Sequence, residues 1–209
     1  MNRPDTRRRG MLWLALLAWM LGATTPAHAA DAEPPAQTLI RTEADAFIAR
    51  LRTDAATNDA DPSHLLRTAE EMVLPHFDFV LISQRALGRH WRAFTDEQKA
   101  RFVREFRAML LRTYARTLNE HRDATVGYLP WRELSQGGVR VRTQVTRSDG
   151  PPVQIDYEVR QRGDAWKICD VTVNGVSLII SYRAGFQKDI AALGAEGLIA
   201  QLEARNQSS

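Results

Sequence analysis

Residues 166–186, WKICDVTVNGVSLIISYRAGF, constrain the fold more than any other stretch of the chain. Trp166, Ile168, Val171 and Val173 form a β-branched and aromatic run that reads as a strand, Asn174-Gly175 is turn chemistry, and an apolar helical segment over 176–186 follows at once. A strand therefore passes straight into a helix. Asn and Gly can both take the positive φ of such a corner, and Ser177 is a candidate cap. The helix carries Val176, Leu178, Ile179, Ile180, Tyr182 and Phe186, more apolar surface than one amphipathic face requires. Either protein or ligand must cover it.

The rest of the chain supplies a context for that corner. Helical spacing of Leu39, Ile40, Phe47, Ile48 and Leu51 predicts a first helix that ends by the loop residues Thr57-Asn58-Asp59. Asp61-Pro62 starts a second helix, which Pro75 closes. His76-Phe77-Asp78-Phe79 reads as a hinge, with Asp78 the candidate cap of a third helix running to Gly88. Thr95 and Gln98 form a capping box, and Phe102, Phe106, Met109, Leu110, Tyr114 and Leu118 keep helical period almost to Glu120, a helix of about 35 Å.

After His121 the period changes from helical to alternating, and strands are predicted over 125–131, 139–146, 153–160 and 165–173. The short Gly- and Pro-containing turns between them join antiparallel neighbours into a meander. In VRVRTQV and VQIDYEV the apolar side chains share one face and the charged ones the other. The predicted class is α+β: a four-stranded antiparallel curved sheet covered on one face by helices, cone-like, with an interior either filled or open as an apolar cavity. Beyond the corner, 187–194 continues the helix and 196–205 reads as a short last one.

Charge has to be read in two parts. Of 28 Lys and Arg and 25 Asp and Glu, Arg3, Arg7, Arg8, Arg9 and Asp5 lie in the first nine residues, which leaves 24 of each sign. The remainder is formally neutral, and a nucleic-acid partner loses its support. That N-terminus has the form of a secretory signal: a basic start, an apolar run over 11–22 too short to span a bilayer, and Ala27-His28-Ala29. The expected organisation is a leader over 1–29 cleaved after Ala29, a loose tail over 30–38, and one domain over 39–205. Cys169 is the only cysteine, so no internal disulfide is available, and it reads as a small core hydrophobe.

Motifs for catalysis are missing. His64, His76, His90 and His121 have no metal spacing, there is no phosphate-cradling glycine loop, and Gly175-Val176-Ser177 lacks the second glycine of a nucleophile elbow. Asp156 and Asp170 sit on predicted strands as candidate buried acids, with a solvated or ion-paired carboxylate the plainer reading. No metal, cofactor or catalytic residue is predicted.

Leu87-Gly88-Arg89-His90-Trp91, followed by Thr95, Gln98, Phe102, Phe106, Leu110 and Tyr114, resembles the central motif of the MlaC, or toluene-tolerance auxiliary, family. Trp166-Lys167, Asp170-Val171, Gly175-Val176-Ser177, Tyr182-Arg183 and Phe186 resemble its C-terminal signature in the same order, while Cys169 stands where a larger aromatic residue is expected. The resemblance implies a fold like the nuclear-transport-factor cone and a periplasmic, non-enzymatic phospholipid carrier. Its implied partners are a phospholipid, with acyl chains inside and headgroup at the mouth, the substrate-binding subunit of an inner-membrane ABC transporter, and an outer-membrane lipoprotein–porin complex. The expected pocket lining is Phe106, Leu110 and Tyr114, Val141, Val145, Ile155, Tyr157 and Val159, and Ile179, Tyr182 and Phe186. The alternatives are a carrier of hopanoid or another polycyclic lipid, and an isomerase- or dehydratase-like enzyme on the same cone.

Overall fold

Helix begins where a loose tail is predicted. The computed structural model describes residues 32–147 and 150–207; the predicted leader, its cleavage after Ala29 and the first two tail residues lie outside them. Pro35 occupies the first turn of α1 (Pro35–Thr53), and Ala36 and Ile40 are buried against the sheet, so tertiary packing extends the helix past its periodic part. The Thr57-Asn58-Asp59 segment is also helical, as α2 (Ala55–Ala60). Its loop-favouring polar side chains are taken up by tertiary hydrogen bonds: Asn58 Nδ2 donates to Asn119, and Asp59 accepts from Asn119 and Arg122.

The next boundaries follow their caps. Asp61 accepts from the Ser63 amide at 2.9 Å to open α3 (Pro62–Met72), and Asp78 accepts from the Leu81 amide at 2.9 Å to open α4 (Phe79–Leu87). Just before α4, Phe77 makes a parallel bridge to Ile168 and the Asp78 amide donates to the Ile168 carbonyl, which ties α4 to a strand edge. The Thr95–Gln98 capping box forms in both directions and starts α5 (Asp96–Glu120), 25 residues long.

The sheet is an antiparallel meander in the order β1 (Thr125–Glu133), β2 (Val139–Thr146), β3 (Val153–Arg162), β4 (Ala165–Val173), β5 (Val176–Ser177). β1 and β3 each run two residues beyond their expected ends. The register of β1 shifts between Leu129 and Arg132, where Pro130 sits on an edge strand that can spare its amide. β4 carries a bulge opposite Glu158 and Val159 that gives Cys169 the extra place.

A fifth strand replaces the first helical turn expected at Val176. Asn174 and Gly175 both have positive φ, 47° and 84°, the combination that turns a chain tightly back on its own strand. Val176 and Ser177 therefore pair with Val173 and Thr172 before the chain enters α6 (Leu178–Gln207). Ser177 caps this helix, its Oγ accepting from the Ile180 amide at 3.1 Å. The helix is broken at Gly194, whose φ of 70° and ψ of −175° no helix tolerates, so the two predicted terminal helices are its two arms.

Three apolar clusters hold these elements. Phe102, Phe106, Met109, Phe186, Leu198 and Ile199 centre the one among α4, α5 and α6. Val139, Val141, Val159 and Ile168 meet Ala36 and Ile40 of α1 in the second, and Phe47, Leu51, Leu65, Ala69 and Ala115 form the third. No helix among the described residues is long and apolar enough to cross a membrane.

Candidate functional site

The apolar face of the sheet is graded along its strands. By register and alternation, Val139, Val141, Thr143 and Val145 share that face with Val159, Tyr157, Ile155 and Val153 of β3 and with Ile168, Val171 and Val173 of β4. At the Val139 end it is buried beneath Ala36 and Ile40, with Phe77, Trp131 and Trp166 packed alongside. At the other end Val145, Val153, Ile155 and Val173 are only half buried and join none of the three clusters. The helix that carries Phe106, Leu110 and Tyr114 has its close neighbours in α3, α4 and α6.

The eleven predicted lining residues fall into three groups. Phe106, Val141 and Val159 have no exposed surface, and Ile179 and Phe186 retain 5% each, so these are core. Leu110 and Tyr182 lie against the helical core, and Tyr157 against the sheet core, each half buried. Val145, Ile155 and Tyr114 are half buried at the open end of the sheet and on α5. Phe106 and Phe186 meet edge to face at 5.1 Å, and Tyr182 stacks on Phe186 at 5.9 Å, so the aromatic stripe of α5 is chiefly its contact with α6.

Several hydroxyls lie on the apolar side, and the Arg41 guanidinium stacks over the Tyr128 ring at 3.9 Å. Tyr114 and Tyr182 share a hydrogen bond at 3.4 Å that links α5 to α6, and burial pushes the Tyr114 hydroxyl far above its ordinary value. Burial likewise pushes Tyr157 up to about 12. Thr143 donates to the Ile155 carbonyl at 2.8 Å, and the Tyr128 hydroxyl is buried without a hydrogen-bond partner.

The candidate acids are elsewhere. Asp156 lies on the charged face, accepting from Gln154 at 2.9 Å with Arg142 at 3.9 Å. Asp170 accepts from Ser177 at 2.7 Å, and burial lifts its carboxyl above the ordinary value against that bond. Beside it Arg85 donates to Glu158 at 2.6 Å and to the Cys169 carbonyl at 3.3 Å. Neither acid stands alone in an apolar pocket. Cys169 is fully buried, and burial pushes its thiol up to about 11, as befits a core hydrophobe.

A cleft of about 340 Å³ opens between α5 and the two arms of α6. Met109, Leu198 and Leu202 line it together with Tyr182 and Phe186, and Asp189 and Arg205 add charge. Periodicity placed Met109, Leu198 and Leu202 on helices, but nothing local says that Gly194 folds the second arm back beside the first. Val153, Val171, Val173 and Tyr128 share this face by the same alternation that selected Val145 and Ile155.

The structure is thus an α+β domain with an open antiparallel meander whose apolar inner face is half buried at one end. The fold matches a phospholipid-binding protein from Ralstonia solanacearum solved in complex with a phospholipid, with a TM-score of 0.75, 31% identity, and coverage of 83% of this chain and 97% of that one. The family model described as MlaC protein matches residues 41–204, and the chain belongs to the MlaC family. Among curated relatives, the intermembrane phospholipid transport system binding protein MlaC of Haemophilus influenzae is 21% identical over 171 residues, 80% of each chain. The toluene tolerance protein ttg2D of Pseudomonas putida is 26% identical over 98 residues, 47% of this chain and 46% of its own.

Proposed function

We propose that the chain is a periplasmic phospholipid carrier that shuttles lipid between outer-membrane and inner-membrane complexes of an ABC-type transport system. The observation that carries this reading is the graded inner face: the same strands that are fully buried at Val141 and Val159 are half buried at Val145, Val153 and Ile155. Apolar side chains on a sheet's inner face are left half covered where something else completes the burial. Membership of the MlaC family and the phospholipid held by the Ralstonia relative support a phospholipid in that place.

The energetics require such a carrier. Two acyl chains contain about thirty methylenes, and their exposure to water at about 0.8 kcal/mol each costs on the order of 20 kcal/mol or more. A lipid does not cross an aqueous compartment at a useful rate against that cost. The dry, neutral lining proposed here, Leu110, Tyr114, Val145, Ile155, Tyr157 and Tyr182, hides hydrocarbon without offering it a charge. The basic start, short apolar run and Ala27-His28-Ala29 of the N-terminus support export, with cleavage after Ala29.

Transfer between vesicles tests the reading. Donor vesicles of fluorescent phospholipid mixed with unlabelled acceptors should exchange lipid faster in proportion to added protein, with Val145→Asp abolishing the gain. Transfer no faster than in protein-free controls would overturn it.

A further inference from the structure

The inner face of the sheet falls into rows across its strands. By register Val139, Val159 and Ile168 form the first row, Val141, Tyr157 and Val171 the second, Thr143, Ile155 and Val173 the third, and Val145 and Val153 the last. The first row is buried throughout, and the last is half buried. What closes the first row is α1. Its Ala36 and Ile40, one turn apart and 0% and 4% exposed, belong to the same cluster as Val139, Val159 and Ile168, which lie on three different strands. One short stretch of helix therefore bars three strands at a single level. The bar is fixed in place. Arg41 stacks over the Tyr128 ring on β1, Glu43 meets His76 at 3.1 Å, and Arg52 donates to the carbonyls of Arg122 and Ala124 at 3.0 and 3.3 Å. Further along, Phe47 and Leu51 are buried with Leu65 and Ala69 of α3 and Ala115 of α5, so sheet and helices hold α1 at once.

We propose that Ile40, with Ala36 beside it, is the floor of the acyl-chain pocket and sets the length of chain the protein selects. This rests on the carrier reading and deepens it by naming what distinguishes one lipid from another. The dimensions support it. From Val141 in the second row to Val145 in the last, the inner face runs roughly 13 Å at about 3.3 Å per residue. Half of a bilayer's hydrocarbon core is about 15 Å. A chain of membrane length that enters over Val145 and Val153 therefore ends at the first row, against Ile40. A longer chain leaves methylenes wet at the mouth, and each methylene kept from water is worth roughly fourfold in affinity. A shorter chain leaves a void above the floor, whose lining loses its contacts. Because α1 is tied at several points, the floor does not yield to accommodate either.

The test compares lipids that differ only in chain length. Protein expressed from the full chain is stripped of lipid and offered vesicles holding equal amounts of dipalmitoleoyl, dioleoyl and dieicosenoyl phosphatidylglycerol, which share a headgroup and one double bond per chain. Bound lipid is extracted, and the ratio of dieicosenoyl to dipalmitoleoyl species is measured by mass spectrometry. Thermal unfolding monitors the fold of each variant. Ile40→Ala lowers the floor and is expected to raise that ratio at least threefold over wild type. Ile40→Phe raises the floor and is expected to reduce the ratio at least threefold. Leu65→Ala, which empties a buried site in the cluster between α1 and α3, is expected to leave it unchanged. Where Ile40→Ala does not fold, Ile40→Val carries the same test, with a smaller rise. An unchanged ratio in the folded Ile40 variants, or an equal change in Leu65→Ala, overturns the proposal. Uptake of none of the three lipids by wild type refutes the carrier reading itself.

Discussion

Asp170 and Ser177 lock the corner between the sheet and its last helix. Ser177 Oγ donates to Asp170 Oδ2 at 2.7 Å and accepts from the Ile180 amide at 3.1 Å, so one hydroxyl joins β4 to the first turn of α6. The hairpin of Asn174-Gly175 brings the two residues together, seven positions apart in sequence. Ser177→Ala removes the cap and takes one donor from the half-buried Asp170 carboxylate, a loss of about 1–3 kcal/mol. Urea unfolding measures it, and a change below about 0.3 kcal/mol contradicts the lock.

The carboxyls at this corner respond to pH with opposite signs. Burial lifts Asp170 above its ordinary value, against the Ser177 bond. At Glu158 burial also acts upward, but hydrogen bonds from Arg85 and Arg160 outweigh it and hold the group below its ordinary value. The Asp170 contribution to stability is therefore present below the unfolded value of about 3.9 and is lost as pH rises through the folded one. That of Glu158 is present above about 4.3 and is lost as pH falls through its depressed folded value. Asp170→Asn, which resembles the protonated acid, should gain stability relative to wild type between pH 4 and pH 7, and Glu158→Gln should lose it. Denaturation at a series of pH values checks both, and differences flat across that range contradict them.

Core and lining residues of the same strands should part company. Phe106→Ala is expected to cost about 3–5 kcal/mol, because the ring is fully buried among Phe102, Tyr182 and Phe186. Ile155→Ser, at the half-buried end, should cost under about 1.5 kcal/mol yet reduce bound lipid severalfold. Chemical denaturation and lipid quantification on the same preparations separate the two. Comparable stability losses would make the whole inner face a packed core.

The break in α6 should be intolerant of a side chain. Gly194 has φ 70° and ψ −175°, and a Cβ on Gly197 would lie 2.3 Å from the Leu193 Cβ. Gly194→Ala and Gly197→Ala should each destabilise by about 1–3 kcal/mol, against the small gain that Gly→Ala brings in an unconstrained helix. Melting temperatures at or above wild type would show that the two arms can repack.

Much of this architecture was legible because local chemistry and tertiary structure agree. Asp78 and Thr95 cap the helices they were expected to cap, Asp61-Pro62 starts the second, and β2 and β4 have the predicted ends, since alternation and turn residues coincide there. Where the two levels diverge the sequence misleads. Pro35 and Ala36 look like tail until α1 finds the sheet, and Asn58 looks like loop until Asn119 meets it. The site was legible only as a list of apolar residues. Periodicity shows that Val141 and Val145 share a face, but not that α1 covers one and leaves the other half open.

The most direct measurement is organic extraction and mass spectrometry of the protein as purified from cells. One phospholipid per chain, absent from Val145→Asp protein that unfolds in the same cooperative transition, is the expected result. Lipid-free wild-type protein that also takes up none from vesicles would contradict the account.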